Sequence, residues 1–219
     1  GNVHLDRGEY DQALVRYRDA HALRERVFGP NHPEVAGALN NVSLILRRQR
    51  DYAGARAALE RAVAIYAGGL GEDNPRMAQA INNLGTVLRE GGDAVAAEAQ
   101  HRRAIRIRER ALGPDHPDVA DALVGLGRAL CDQGRHAEAE PLLERALLLY
   151  ERAFGPEHPA VAEALIGLGV ARLGRGRAAD AEAGLSRAVE ILARRGAGTD
   201  EATEARALLE RARTVLASG

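Results

Sequence analysis

The 219-residue chain carries 30 basic and 31 acidic residues and has a pI of about 6.7, a balance that excludes the cationic surface typical of nucleic-acid and membrane-surface binders. Its single cysteine, Cys131, excludes an intrachain disulfide. All basic residues are arginines, so these residues hold neither a Schiff-base lysine nor the lysine of a Walker A nucleotide loop.

The composition also bears on the compartment and the source. No apolar run approaches the roughly 20 residues that a membrane-spanning helix requires, and no signal-peptide pattern follows Gly1. A lone cysteine agrees with a reducing compartment, so we expect a cytoplasmic protein. The exclusive use of arginine, together with abundant alanine and glycine, indicates GC-rich coding and hence a bacterial source.

The first complete helical pattern follows the turn Gly8-Glu9-Tyr10 and ends at a box, GPNHPEVA, that begins at Gly29. The box returns as GEDNPRMA, GPDHPDVA and GPEHPAVA, beginning at Gly71, Gly113 and Gly155. Its closing prolines therefore stand 42 residues apart each time, with no insertion. A fixed period of this length predicts a stacked array of repeats.

Each box predicts the end of one helix and the start of the next. The glycine supplies the positive φ at which a helix stops, and a proline beyond it prevents the helix from continuing. The closing proline fits a first helical position and pushes the residue before it into the extended conformation of a helix N-cap. The predicted N-cap residues are His32, Asn74, His116 and His158.

Between boxes, each repeat predicts two helices joined by a polar turn. The turns keep the 42-residue step, at Arg50-Asp51-Tyr52, Gly92-Asp93-Ala94, Gly134-Arg135-His136 and Gly176-Arg177-Ala178. Small residues lie on one face of each helix, where they let the partner helix approach closely. On the second helices these are Ala13, Ala55, Ala97, Ala139 and Ala181, and again Ala20, Ala62, Ala104, Ala146 and Ala188. On the first helices they are Gly1, Ser43, Gly85, Gly127 and Gly169.

Small residues at these offsets resemble the tetratricopeptide repeat. The long second helix and the LNN and GPDHPxVA phrases are similar to the 42-residue variety found in kinesin light chains and in many bacterial regulatory proteins. The resemblance implies an all-α fold, a right-handed α-solenoid of helical hairpins forming one continuous domain. The expected boundaries are a partial first repeat at 1–28, repeats at 29–70, 71–112, 113–154 and 155–198, and a capping helix at 199–219.

The two ends depart from the repeat. Gly1 aligns in register with Gly85, so we expect the chain to open halfway along a first helix, to come from a longer array, and to expose an apolar edge that permits self-association. At the other end, residues 196–200 replace the box and contain no proline. The last helix has an apolar stripe that predicts a terminal cap, formed by Leu208, Leu209, Ala212, Val215 and Leu216.

No pattern predicts a catalytic, metal or cofactor site. The box histidines belong to different repeats, which lie at least one helix-packing distance of roughly 8 to 10 Å apart, whereas the ligands of one zinc ion all lie about 2 Å from it. Glycine strings such as Gly125-Leu126-Gly127 lie inside helical patterns, where a dinucleotide fingerprint does not occur. We expect His101 to be a partly exposed substitution at a packed position and Cys131 to be a half-buried thiol.

The resemblance also implies that the first helices line a concave groove that holds a peptide. Asparagine is costly in helix interiors and is normally explained by what its amide reaches. Two Asn-Asn pairs lie one repeat apart, Asn40-Asn41 and Asn82-Asn83. In kinesin light chains and their relatives, asparagines at the matching positions bind the backbone of an extended peptide, and nearby arginines would favour acidic peptides. The predicted groove residues are Asn40, Asn41, Arg47, Arg48, Gln79, Asn82, Asn83, Thr86, Arg89 and Arg128.

Two observations limit this expectation. The second asparagine of each pair has an alternative role, a bond within the array, and the arginines have the alternative of simple solvation. The series of asparagine pairs does not continue into the later repeats, which have Val124-Gly125 and Ile166-Gly167 at those positions. The lysines with which chaperone-binding relatives hold carboxylates are absent.

The sequence therefore predicts a protein-interaction module, with no enzymatic activity, no cofactor and no nucleic-acid or membrane partner. The alternative is a sensor or oligomerisation segment of a larger bacterial signalling regulator. Repeats of this kind resemble those of signal-transduction ATPases and caspase-like proteases, in which the active site lies outside the array.

Overall fold

The computed structural model describes residues 7–71, 73–194 and 200–218, which form ten α-helices and no strand. The helices are α1 (Arg7–Phe28), α2 (Pro33–Arg48), α3 (Tyr52–Leu70), α4 (Pro75–Glu90), α5 (Ala94–Leu112), α6 (Pro117–Asp132), α7 (His136–Phe154), α8 (Pro159–Gly174), α9 (Ala178–Ala193) and α10 (Asp200–Ser218). The prediction of an all-α stack of helical hairpins is confirmed.

The chain divides into two compact units, Gly1–Pro114 with α1 to α5 and Asp115–Gly219 with α6 to α10. In the first unit each helix packs against the next in the chain, and α2 also contacts α4. In the second unit each helix again packs against the next, and α8 also contacts α6 and α10. Within each unit, the first helices of successive repeats therefore lie side by side.

The boxes start and stop helices as the sequence predicts. Gly29, Gly71, Gly113 and Gly155 have φ between 81° and 89°, a region that favours glycine. The four predicted N-cap residues are extended, and each accepts a hydrogen bond through its side chain from the backbone N–H two residues later. For His32 the acceptor is Nδ1, 3.2 Å from the nitrogen of Glu34.

The small residues of the first helices make room for a large side chain on the following helix. A Cβ added at Gly127 would lie 2.6 Å from Cγ of Leu143, and one added at Gly169 would lie 2.6 Å from Cδ2 of Leu185. Real Cβ atoms do not approach carbon atoms this closely, so glycine is required for this packing. Gly1, the corresponding residue of the first copy, lies outside the described residues.

The alanines of the second helices lie in the core from α3 onwards. They have no exposed surface in α3, α5, α7 and α9, as expected for residues that let helices approach closely. Ala13 and Ala20 of α1 are only partly buried. The alanine rule is therefore confirmed for eight positions, while the α1 pair packs less completely.

The last helix packs through a different stripe from the predicted one. Its buried residues are Ala202, Ala205, Leu209 and Ala212. Leu208 is partly buried, but Val215 and Leu216 are exposed, so the expectation was wrong for those two. The packed part of α10 ends at Ala212, and the apolar residues after it face solvent.

Candidate peptide-binding surface

The predicted groove residues are distributed unequally between the units. Asn40, Asn41, Arg47 and Arg48 lie on α2, and Gln79, Asn82, Asn83, Thr86 and Arg89 lie on α4. These two helices contact each other in the first unit. The remaining residue, Arg128, lies on α6 in the second unit, where it pairs with Glu204 of α10.

A chain of side-chain hydrogen bonds links three helices of the first unit. Arg108 of α5 donates to Oε1 of Gln79 at 2.7 Å, and Nε2 of Gln79 donates to Oδ1 of Asn83 at 3.1 Å. Nδ2 of Asn83 donates in turn to Oδ1 of Asn40 at 2.8 Å. Both ends of the Asn83 carboxamide are therefore engaged within the unit, which fixes its orientation.

Asn82 faces the interior rather than the surface. It is 8% exposed, and its Oδ1 lies 2.9 Å from Nδ1 of His101 on α5. The carboxamide oxygen accepts, so Nδ1 of His101 carries the proton and donates. Thr86 also uses a hydrogen bond within α4, from its hydroxyl to the backbone oxygen of Asn82 at 3.3 Å.

The expectation that His101 is partly exposed was wrong, because its side chain is completely buried. The ring lies against Gly85, where an added Cβ would come within 2.8 Å of Cε1. Burial, reinforced by the positive charges of Arg89 and Arg108, lowers the pKa of His101 to about 3. The imidazole is therefore neutral and belongs to the packing between α4 and α5.

Arg47 is paired with an acidic neighbour on the same surface. Its guanidinium lies 2.7 Å from Oε1 of Glu90 on α4, and Arg89 lies 3.8 Å from the same oxygen. The carboxylate of Glu90 offsets part of the positive charge that the sequence places there. Electrostatic attraction for an acidic partner is accordingly weaker at this end of α2 and α4 than a count of arginines suggests.

A cavity of about 300 Å³ opens at the other end of the α2 and α4 pair. We call it the Tyr66 cavity; its lining includes Arg24, Gly37, Asn40, Asn41, Tyr66 and Gln79, together with Glu34 and Arg76. Arg24 and Tyr66 come from the second helices α1 and α3, so a projection of first-helix positions alone missed them. An alignment of the 42-residue repeats would have drawn attention to this position, since Tyr66 aligns with the polar residues Arg108 and Tyr150.

The residues considered for other chemistry have structural surroundings. Cys131 is buried rather than half-buried, and burial raises the pKa of its thiol to about 11, so it stays protonated. Among the described residues, no group of three His, Cys, Asp or Glu side chains is placed to hold a metal ion. The helices of the described ranges include none with the length and apolar character that a bilayer crossing needs.

Two family models, both described as tetratricopeptide repeat, match the chain, one over residues 1–68 and 118–194 and the other over residues 77–118. A comparison with curated proteins finds no match. Among solved structures, one from Podosopora anserina is described as kinesin light chain nearly identical TPR-like repeats. It is 21% identical, with a TM-score of 0.67 over 87% of this chain and 90% of its own.

Two other solved structures are similar in fold. BtubC (BKLC) from P. vanneervenii is 24% identical, with a TM-score of 0.71 over 88% of this chain and 77% of its own. The apo form of RapI is 17% identical, with a TM-score of 0.72 over 97% of this chain and 78% of its own. The family models cover the repeats read from the 42-residue period, and the chain belongs to the tetratricopeptide repeat family.

Proposed function

We propose that the chain is a protein-interaction module that holds an extended segment of a partner protein against α2 and α4 of the first unit. The observation that carries this proposal is Asn41, whose partly exposed carboxamide makes no hydrogen bond to any described residue. A carboxamide has a donor and an acceptor, as a peptide unit has. It therefore matches the backbone of an extended chain.

The surroundings of Asn41 support the same role. Asn40 and Asn83 are held by the hydrogen bonds from Asn83 to Asn40 and from Gln79 to Asn83, so their side chains lose little freedom when a ligand binds. Leu44, one turn along α2, is 39% exposed and offers apolar contact to a partner side chain. The surface thus combines oriented amides with an exposed aliphatic group.

The test uses a phage-displayed library of random 12-residue peptides, selected on the intact chain. Selected peptides are synthesised with blocked termini, and their Kd values are measured by fluorescence anisotropy. We expect Asn41→Ala to weaken binding roughly 3- to 10-fold, the effect of one or two hydrogen bonds. Leu44→Ser should weaken it by a similar factor.

Glu60→Ala is the control, because Glu60 lies on α3 and, within the described ranges, forms one exposed ion pair, with Arg56 of its own helix. It should leave the Kd unchanged. Peptides that bind Asn41→Ala and Leu44→Ser as tightly as the unaltered chain would contradict the proposed function.

A further inference from the structure

The hydroxyl of Tyr66 meets the Tyr66 cavity, and no described residue accepts a hydrogen bond from it. The residue is 4% exposed and makes no hydrogen bond to any described residue, although it lines a cavity of about 300 Å³. The hydroxyl oxygen is not fully enclosed by protein atoms, so it is accessible from the cavity. An acceptor that enters the cavity would therefore gain a hydrogen bond for which no internal bond has to be broken.

Later repeats supply this acceptor themselves. In the next repeat the position of Tyr66 is taken by Arg108, which donates to Oε1 of Gln79 at 2.7 Å. In the repeat after that it is taken by Tyr150, which donates to Oδ1 of Asp121 at 2.6 Å. The residue that corresponds to Gln79 and Asp121 is Gly37. The cavity thus lies where the first complete repeat has no side chain.

The other groups of the cavity are mainly donors. Arg24 and Asn41 make no hydrogen bond to described residues, and Asn40 uses its oxygen for Asn83, which leaves its own N–H groups available. The acidic residue of the lining, Glu34, lies 3.3 Å from Arg76. A carboxylate has two oxygens that accept several hydrogen bonds and carries the charge opposite to that of Arg24.

We propose that the Tyr66 cavity binds the carboxylate of a glutamate or aspartate side chain in the partner segment, with the Tyr66 hydroxyl, Arg24 and Asn41 as donors. The proposal rests on the function proposed above, since Asn40 and Asn41 belong both to the cavity and to the α2 surface. Burial raises the pKa of Tyr66, which keeps its hydroxyl protonated and able to donate. The Tyr66 cavity therefore selects a side chain. Asn41 donates an N–H group to its carboxylate, and the oxygen of the same carboxamide remains free to accept from the backbone of the partner segment.

The direct test titrates N-acetylglutamate N-methylamide into the intact ¹⁵N-labelled chain and follows its NMR spectrum. We expect saturable shifts at the backbone N–H of Gly37 and the side-chain amide of Asn41. N-acetylglutamine N-methylamide should bind roughly tenfold more weakly, because hydrogen bonds to a charged acceptor are stronger. An equal response to both compounds would overturn the proposal, and so would the absence of a saturable response to the glutamate compound.

Variants test the geometry. Tyr66→Phe removes a hydroxyl that has no hydrogen-bond partner among the described residues, so the chain should fold normally and bind the glutamate compound roughly tenfold more weakly. Gly37→Asp should have the same effect, because it supplies an internal carboxylate: a Cβ at this position would lie 3.5 Å from the Tyr66 oxygen, an ordinary contact. Gly37→Ala is the matched control and should retain most of the affinity.

The charge is tested by Arg24→Gln, with Arg106→Gln as the control for the loss of one positive charge. Arg106 is exposed on α5 and lies outside the lining of the Tyr66 cavity. Only Arg24→Gln should weaken binding of the glutamate compound. Unchanged binding in Tyr66→Phe, Gly37→Asp and Arg24→Gln would place the compound elsewhere and overturn the proposal.

The library-selected peptides separate this proposal from the function on which it rests. Peptides that respond to Asn41→Ala but to neither Tyr66→Phe nor replacement of their acidic residues by amides would overturn the carboxylate assignment and leave the proposed function standing. Peptides that ignore Asn41→Ala would overturn the function itself. Peptides that respond to all three changes would support both.

Discussion

The two units build different interiors on the same 42-residue register. In the first, the buried pair Asn82 and His101 lies between α4 and α5. At the corresponding positions of the second, Val124 and Leu143 are buried and apolar. In both units a glycine on the first helix, Gly85 or Gly127, leaves space for a large side chain of the following helix. The difference teaches that either a polar pair or aliphatic side chains can fill that space.

The two solutions differ in what each residue needs from its neighbour. Aliphatic side chains pack without directional requirements, whereas the imidazole and the carboxamide must face each other to satisfy a buried donor and acceptor. A single substitution in the polar pair therefore leaves one group without a partner. Replacing both residues by those of the second unit should restore a consistent interior.

The largest expected difference between the units appears in acid. The pKa of His101 lies near 3 in the folded chain, below the usual value of about 6.5, because the ring is buried. The unfolded chain thus takes up a proton below about pH 6.5 that the folded chain refuses until about pH 3, so stability falls as the pH falls through this window. At pH 4.5 the loss should be on the order of 2 to 3 kcal/mol, at roughly 1.4 kcal/mol per unit of pKa.

The measurement is urea unfolding followed by circular dichroism at pH 7 and pH 4.5. The double variant Asn82→Val/His101→Leu is the reference, since it keeps all carboxylates and lacks only the buried imidazole. Between pH 7 and pH 4.5, the unaltered chain should lose more unfolding free energy than the double variant, and the difference should equal the contribution of His101 given above. Equal losses in both proteins would mean that His101 is accessible to protons in the folded state.

The next effect separates the members of the polar pair. Asn82→Val alone leaves the N–H of His101 buried without an acceptor and should cost about 1 to 3 kcal/mol at pH 7. Adding His101→Leu should recover most of this loss, which gives a favourable coupling between the two substitutions. Additive effects in a double-mutant cycle would show that the two side chains do not interact.

Overpacking should affect both units alike. Ala104 and Ala146 occupy the same register position in α5 and α7, and neither has exposed surface. Ala104→Leu and Ala146→Leu should each cost about 1 to 3 kcal/mol, measured by thermal unfolding. Ala20→Leu, at the same position of the partly buried α1, should cost less. A melting temperature unchanged by Ala104→Leu would undermine the assigned register.

The smallest expected effect concerns the starts of the second helices. Asp93 accepts a hydrogen bond from the nitrogen of Ala96 at 2.9 Å, whereas Arg135 of the second unit makes no side-chain cap. Asp93→Ala should cost about 1 kcal/mol. Arg135→Asp should gain less than this, because it also removes the pair between Arg135 and Glu138. Destabilisation by Arg135→Asp would show that this ion pair outweighs the missing cap.

Most of the fold was predictable because its signals are local. A glycine with positive φ, a proline at the first helical position and an N-cap side chain act within a few residues of one another, and the box contains all three. The buried alanines were predictable because their spacing repeats without insertions. The solvated end of α10 was not, since only packing decides which side of an amphipathic helix is covered.

The candidate site was less predictable because it depends on pairs of distant residues. The family resemblance places Asn82 on the groove surface. The corresponding residues of the next two repeats, Val124 and Ile166, are apolar and buried, which indicates a buried position. Tyr66 and Gly37 stand 29 residues apart, and neither is unusual by itself. Only the bonds of their counterparts in later repeats, Arg108 to Gln79 and Tyr150 to Asp121, identify what this pair lacks.

The bond from His101 to Asn82 also provides a natural spectroscopic reporter. The proton on Nδ1 of His101 is shielded from water and held by a carboxamide oxygen, so we expect it to exchange slowly enough to give its own resonance in a proton NMR spectrum. No other label is needed to follow the contact between α4 and α5 during heating or ligand titration. Loss of that resonance while the helical signal persists would reveal loosening of this hairpin before the chain unfolds.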